Sequence, residues 1–344
     1  MTTQVANNML AFDGGAFGFR NRLINGDMRV AQRASSYALT ASIAYGSADR
    51  WAMFQSTSAN GVANVVTSSL PGGFSAGMQL GRNASGAQTG AIGMLQVLET
   101  AQSVPMQGQQ VTFSFYAKAG VNFSGGQINV FIGTGTGTDQ SAASFAGWPG
   151  QAWPVNTTQT ITTSWARYSF TGTVAAAATQ VGVQIQYTPS GTAGADDNIY
   201  VTGAQLEVGA AATAFEHRPY GMELALAQRY YQQLGGRSAT EAVGHGFASA
   251  AAAGIILLPL KVSMRPTANA HKGPTTTLSA AADWNLSSAG SSAAVSSFTY
   301  GYSSPDVVEL DISAAGSPAW TTNNGLLMRA ASTTSARIKL DAEL

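Results

Sequence analysis

Three histidines, two adjacent aspartates and a small set of tryptophans and tyrosines are the side chains of this sequence whose types and spacing bear on chemistry. A zinc centre needs ligands close together on one face, and His217, His245 and His271 show neither H-x-x-x-H nor H-E-x-x-H spacing. No G-x-S-x-G elbow and no G-K-S or G-K-T phosphate loop occurs. The run GTGTGT, Gly133 to Thr138, carries no lysine and reads as a flexible hairpin tip. Asp196 and Asp197 beside Asn198 have the composition of glycosidase carboxylates or of hard oxygen ligands for calcium. They lie between Gly194 and the start of a strand, where a turn or strand cap is the better reading. A structural calcium ion stays open as an alternative, although no second or third ligand can be named. Arg50, Glu207 and Glu216 suit ion pairs or caps, so no catalytic residue is nominated and no enzyme is expected.

Aromatic side chains offer more. Sugar rings present apolar C–H faces that stack on indoles, and a few polar groups around such a platform make a small-ligand site. Trp148 and Trp153, in AGWPGQAWPVN, are flanked by proline and glycine and read as loop residues. Trp284, Tyr300, Tyr302 and Trp320 belong to the last third of the chain, whereas Trp51 and Trp165 read as strand residues of a core. The candidate ligand-binding set is therefore Trp148, Trp153, Trp284, Tyr302 and Trp320. Packing of each indole against its own domain is the competing reading.

Composition bounds the remaining classes. A chain of 344 residues is long enough for two domains. Lys+Arg and Asp+Glu are equal at 17 each, and no basic run exists to neutralise phosphates, which argues against nucleic acid. Cysteine is absent, so disulfides, thiolate metal sites and cysteine nucleophiles are excluded together. The most apolar run, Phe247 to Leu260, falls short of the roughly 20 residues of a membrane helix, and Met1 does not open a basic, then apolar, signal peptide; no membrane insertion is expected. Hydrophobic residues at 45% and aromatics at 9% argue against disorder despite the abundance of Ser, Thr, Gly and Ala.

The elements that must position these side chains are mostly strands. Val111, Phe113 and Phe115 alternate with Thr112, Ser114 and Tyr116, and Ile128, Val130 and Ile132 repeat the pattern. Further strands are expected from Ala166 to Val174, Val181 to Tyr187 and Ile199 to Val208. Such short strands, with turn residues between them, suit a β-sandwich or jelly roll. Pro219 sits where a helix begins. Met222, Leu226, Tyr230 and Leu234 recur every four residues, and Gly235 with Gly236 supplies a left-handed stop, so the spacing predicts a helix over 222–234. Beyond it, Ile255 to Leu260, the alternation of Val308, Leu310 and Ile312, and Ile338, Leu340, Ala342 and Leu344 predict a second, smaller antiparallel sandwich.

NRLINGDMRVAQR followed by ADRW resembles the opening of a jelly-roll module found in bacteriophage virion proteins, and GAQLEVGAAATAFEHRPYGMELALAQRYYQ resembles its close. SMRPT and the closing RIKLDAEL are similar to the β-domain that often follows in such proteins. The resemblance implies a mainly β fibre, spike or collar-type protein, divided as an anchoring arm (1–15), a jelly roll (16–218), a connecting helix (219–235) and a C-terminal β-domain (236–344). It implies a homotrimer joined near Met222, Leu226, Tyr230 and Leu234. Other virion proteins would be held through the arm, and the chain would be assembled in the host cytoplasm and displayed on the particle. The implied role is host attachment through surface polysaccharide without turnover. An architectural collar, head-fibre or baseplate decoration and a capsule depolymerase are the alternatives.

Overall fold

Where Val, Ile and Phe alternate with small polar residues the chain is extended, and the computed structural model describes this over residues 19–57, 60–267, 273–288, 291–316 and 318–344. The expected arm (1–15) and His271 lie outside the described residues. Two compact units result, one ending at Glu223 and the other running from Leu224 to Glu343.

In the first unit the strands are β1 (Ser36–Ala38), β2 (Ala44–Tyr45), β3 (Ala52–Gln55), β4 (Gly61–Val66), β5 (Gly77–Arg82), β6 (Ile92–Val97), β7 (Gln110–Ala119), β8 (Ile128–Gly135), β9 (Ala152–Gln159), β10 (Ala166–Thr173), β11 (Gln180–Tyr187) and β12 (Asn198–Val208). They form two six-stranded sheets, β1-β4-β5-β12-β7-β10 and β2-β3-β6-β11-β8-β9. Successive strands from β5 to β12 switch sheets except at the β8-β9 hairpin, giving β5-β12-β7-β10 opposite β6-β11-β8-β9. That order is the jelly roll, two Greek keys folded face to face. Inward residues of both sheets, among them Met78, Leu80, Met94, Phe113, Phe115, Val130, Ile132, Val183 and Ile185, build one core. The alternation expected along β12 does not run unbroken. A bulge lies between Thr202 and Gln205, with Gly203 at φ +61°, so Ile199 and Val201 face the core before it and Ala204 and Leu206 after it.

The expected hairpin tip at Gly133 to Thr138 is half strand. Gly133 pairs with Gly182 and Gly135 with Gln180 inside the second sheet. Glycine is needed there because a Cβ on Gly133 or Gly182 would stand 2.7 or 2.6 Å from the Phe145 ring, which lies flat over this outer face.

The predicted 222–234 helix is corrected. The helical residues are Tyr220–Gln228, and Tyr231–Gly235 is a strand, β13. With α1 the single turn Thr100–Ser103, this helix is α2. β13 pairs residue by residue with the closing strand Arg337–Asp341, setting Leu234 opposite Ile338, and both enter the core of the second unit. A four-residue apolar spacing fits a helix, but the edge of the closing strand offers backbone partners that a helix would leave unmet. Gly235 and Gly236 do take positive φ, at +79° and +83°, and they end the strand instead of a helix.

The second unit continues with β14 (Ala242–Ala250), β15 (Ala253–Pro259), β16 (Thr275–Leu278), β17 (Trp284–Ser288), β18 (Ser291–Tyr300), β19 (Val307–Ala314), β20 (Gly325–Ala330) and β21 (Arg337–Asp341). Six of them close into an antiparallel barrel, β14-β15-β19-β18-β17-β20, beside the small sheet β13-β21-β16. The antiparallel strands expected here as a small sandwich thus form a closed barrel, a difference of pairing between first and last strands that alternation along one strand does not encode.

Candidate functional site

The two segments that carry the viral resemblance meet in space, and their polar residues hold the fold together. Asn21 donates to the Ala204 carbonyl (3.0 Å) and accepts from the Leu206 N–H (3.1 Å). Asn25, at φ +58°, donates to the carbonyls of Val30 (2.8 Å) and Asp49 (2.9 Å), and its own carbonyl accepts from the Trp51 indole (2.9 Å). Gln96 both donates to and accepts from the backbone of Ile24, each at 2.8 Å. Arg218 donates to the Leu23 carbonyl (3.0 Å) and pairs with Glu223 (3.3 Å), whose carboxylate also accepts from the Asn25 N–H. Glu216 accepts from the backbone N–H groups of Arg20 and Asn21, and Glu207 accepts from Thr213. Arg50 donates to the Val97 carbonyl at 2.8 Å. Buried polar groups with fixed partners specify how a chain segment docks, and these residues fasten residues 19–33 across the end of β12. In the second unit Gln232 donates to the Val262 carbonyl (2.9 Å), and Arg265 donates to the carbonyls of Ala342 (2.7 Å) and Glu343 (2.8 Å). QRYYQ, SMRPT and the closing strand are thereby tied together.

The aspartate pair is likewise structural. The fully buried Arg82 guanidinium pairs with Asp197 at 2.6 Å and donates to the carbonyls of Gln88 (2.8 Å), Ser190 (2.9 Å) and Gly191 (2.7 Å). A cation already fills this nest of carboxylate and carbonyl oxygens, and it is the guanidinium. Asp196 accepts from the Val121 N–H (3.2 Å), the Asn198 amide (2.8 Å) and the Tyr200 hydroxyl (2.8 Å). Among the described residues no cluster of three or more His, Cys, Asp or Glu is arranged to hold a metal ion.

Of the five aromatic candidates, three are enclosed. Trp148, read as a loop residue, is 3% exposed, packs edge-on to Phe145 at 4.9 Å and donates its indole N–H to the Ser141 carbonyl. Trp284 is fully buried and Trp320 nearly so, both in the core of the second unit. These three are corrected from ligand contacts to packing residues, because a flanking proline or glycine says where the backbone turns and not where the indole goes. Trp153 remains 37% exposed on β9, leaning on Phe131 and Phe145, and Tyr302, in the other unit, is 77% exposed. Of the four joint residues, Met222 is 42% exposed on α2 and Leu226 is half-buried, while Tyr230 lies in the turn after the helix and Leu234 in β13. They do not make one stripe.

A set the sequence reading missed does come together, on the outer face of the first sheet. Backbone register places Asn64 opposite Gln79, Gln79 opposite Tyr200 and Tyr200 opposite Lys118, one row across β4, β5, β12 and β7. Trp165, read as core, is half-buried just before β10 and extends the row. With strands about 4.8 Å apart, five positions span roughly 19 Å. Asn64 donates to Gln79 (3.0 Å), Gln79 donates to the Tyr200 hydroxyl (3.4 Å) and Tyr200 donates to Asp196. Burial first, and then the Asp196 hydrogen bond, push the Tyr200 phenol up to about 12. The Lys118 ammonium lies 4.8 Å from the Tyr200 ring centre and 5.5 Å from that of Trp165, both cation–π distances. Trp165 is held in turn by its indole N–H, which donates to the Ser69 carbonyl at 2.7 Å.

One strand register along, Tyr116 faces Arg167 at 5.8 Å from ring to guanidinium, with Phe74 at 5.2 Å on its other flank. Phe74 reaches over Gly203, where a Cβ would stand 2.6 Å from its ring. The β12 bulge therefore seats the β4–β5 connection beside the row. This face presents half-exposed rings, two amides and Lys118 in one line, with Arg167 one register along. Such an array stacks on sugar C–H faces and hydrogen-bonds hydroxyls. The signal for it was in the sequence, in the polar phase of alternations read for their apolar phase: Thr112, Ser114, Tyr116 and Lys118 on β7, and Tyr200 between Ile199 and Val201.

Comparison with protein-family models gave no match, and no curated protein matches the sequence. Among solved structures, a CBM4 carbohydrate-binding module is 17% identical, covering 54% of this chain and 98% of its own, with a TM-score of 0.31. The CBM22-1 xylan-binding domain from Paenibacillus barcinonensis is 13% identical over 52% of this chain and 94% of its own, at 0.33. The enzymatically active domain of bacteriophage CBA120 tailspike protein 4 is 10% identical over 55% of this chain and 22% of its own, at 0.35. Scores this low leave the functional assignment to the side chains of this chain.

Proposed function

We propose that the first unit binds a polysaccharide along the outer face of its β1-β4-β5-β12-β7-β10 sheet, without turnover, in a bacteriophage virion protein that attaches to a host surface. The row Asn64, Gln79, Tyr200, Lys118 and Trp165 carries the binding part of this reading. Its two rings, Tyr200 and Trp165, are only half-buried and are held by hydrogen bonds and cation–π contacts on either side of Lys118, in a row of residues that crosses four strands. On the opposite sheet Phe145 and Trp148 pack with residues of β3 and β6, and Trp153 on β9 is 37% exposed. The virion part is supported by the resemblance of residues 19–51 and 203–232 to viral modules. The same resemblance supports a homotrimer, and light scattering that found only monomer at micromolar concentration would remove it.

The binding reading is tested on an array of bacterial surface polysaccharides with the full chain. Trp165→Ala and Tyr200→Ala should each weaken binding about tenfold, the loss of roughly 1–2 kcal/mol of aromatic contact. Trp153→Ala, on the opposite sheet, should leave it unchanged. Binding that ignores the first two substitutions and responds to the third would move the site to the other sheet. No binding to any member would leave the architectural role, and release of reducing ends from a bound polymer would establish a depolymerase instead.

A further inference from the structure

We infer that the polymer held on this face is acidic, its carboxylate groups received by Lys118 and Arg167; this rests on the glycan-binding reading above. Lys118 is half-buried on β7, and its ammonium is accounted for by two ring contacts, to Tyr200 and Trp165. Among the described residues it has no carboxylate within salt-bridge reach and donates no hydrogen bond. A ring face satisfies a cation's charge in part but accepts none of the three ammonium N–H bonds. Among the described residues no protein oxygen takes up those three donors.

Arg167 repeats the arrangement one register along. Its guanidinium sits over Tyr116, and Nη2 donates to Ser114 Oγ (2.9 Å) and to the Thr213 carbonyl. Among the described residues no carboxylate pairs with it, and its buried Nε has no hydrogen-bond partner. Two other buried arginines of this unit do have carboxylates: Arg82 is paired with Asp197 and Arg218 with Glu223. Two cations left without carboxylates, each against an aromatic ring and both on the proposed binding face, are what a charge-selective sugar site needs. An uncharged polymer would require only the rings and the amides.

Asp196, which accepts from Tyr200 of the row, would oppose an anion. It is already engaged by three donors, Val121 N–H, the Asn198 amide and the Tyr200 hydroxyl.

The experiment prints polygalacturonate, alginate, hyaluronan and polysialate, each beside its carboxyl-reduced form, with neutral xylan and dextran on the same array. Full-length protein should bind acidic members and lose that binding when the carboxylates are reduced. Lys118→Met keeps the aliphatic stem between the two rings and removes only the charge. It should weaken acidic binding about tenfold or more and flatten its dependence on salt, with Arg167→Gln acting in the same direction. Circular dichroism and melting temperature unchanged from wild type would show that both variants remain folded. Equal binding to carboxyl-reduced forms overturns the inference while leaving the glycan site intact. Acidic binding indifferent to both substitutions also overturns it, by placing the recognition elsewhere. No binding to any member overturns it together with the reading it rests on.

Discussion

Replacing Arg82 by methionine tests how the connections at one end of the first unit are held together. The guanidinium is fully buried where the β5–β6, β7–β8 and β11–β12 connections converge, and it supplies every charge that faces Asp197. Its removal leaves a fully buried carboxylate with only the Ser124 N–H (2.8 Å) and hydroxyl (3.0 Å) as donors. The carbonyls of Gln88, Ser190 and Gly191 lose their donor as well. Stranding one partner of a buried ion pair costs about 3–5 kcal/mol, which for a unit of this size lowers the melting temperature by roughly 6–20 °C. The double change Arg82→Met with Asp197→Leu removes both charges, so it should cost at least about 1 kcal/mol less than the two single losses added together. Calorimetry of the full chain, with urea denaturation as a second measure, reads both quantities. A single-variant cost below about 1 kcal/mol, or strict additivity in the double variant, would refute the account of Arg82 as the cation of this nest.

Three further outcomes follow from the same structure. Chelation with EDTA should leave the melting temperature of the wild type unchanged, because the oxygen nest around Asp197 holds a guanidinium; a clear fall would place a metal ion elsewhere in the unit. Gly182→Val drives a methyl-bearing carbon into the Phe145 ring, at a cost of about 1–3 kcal/mol for overpacking. It should red-shift tryptophan emission as Trp148 is uncovered and leave glycan binding on the other sheet intact, so loss of that binding at unchanged stability would contradict the assignment of faces. The Tyr200 phenol, pushed up to about 12 from 10.0 by burial and Asp196, keeps its proton in the folded chain at pH values where the unfolded chain loses it. Its contribution to stability is therefore present below pH 10.0 and is lost as pH rises towards about 12. Absorbance titration at the tyrosinate band, taken as the difference between wild type and Tyr200→Phe, should show a group titrating near the upper value, and Asp196→Asn should bring it down; an ordinary tyrosine curve would count against the buried hydrogen bond.

Local rules read from the sequence were enough for the strands. Period-two alternation placed β10, β11 and β12 within a residue at each end and the starts of β7 and β8, because one face of each is packed into the core and the other is not. The helix start after Pro219 was equally local, since it depends on the φ that proline fixes. What escaped was whatever depends on a partner distant in the chain. The end of α2 at Gln228 is decided by β21, more than a hundred residues later, whose edge draws Tyr231–Gly235 into a ladder. Closure of the second unit's barrel is decided by β20 meeting β14. Trp148 was legible as an indole beside a turn, but only the glycines of β8 and β11 make room for it and Phe145 on the outer face of the second sheet. The row from Asn64 to Trp165 is likewise assembled from four strands and a connection, with register set by backbone pairing and by the bulge at Gly203. Sequence alone determined which residues alternate and where the chain turns, because those are properties of neighbours. The tertiary structure decided which outward residues stand in one row, because that depends on the register of strands far apart in the chain.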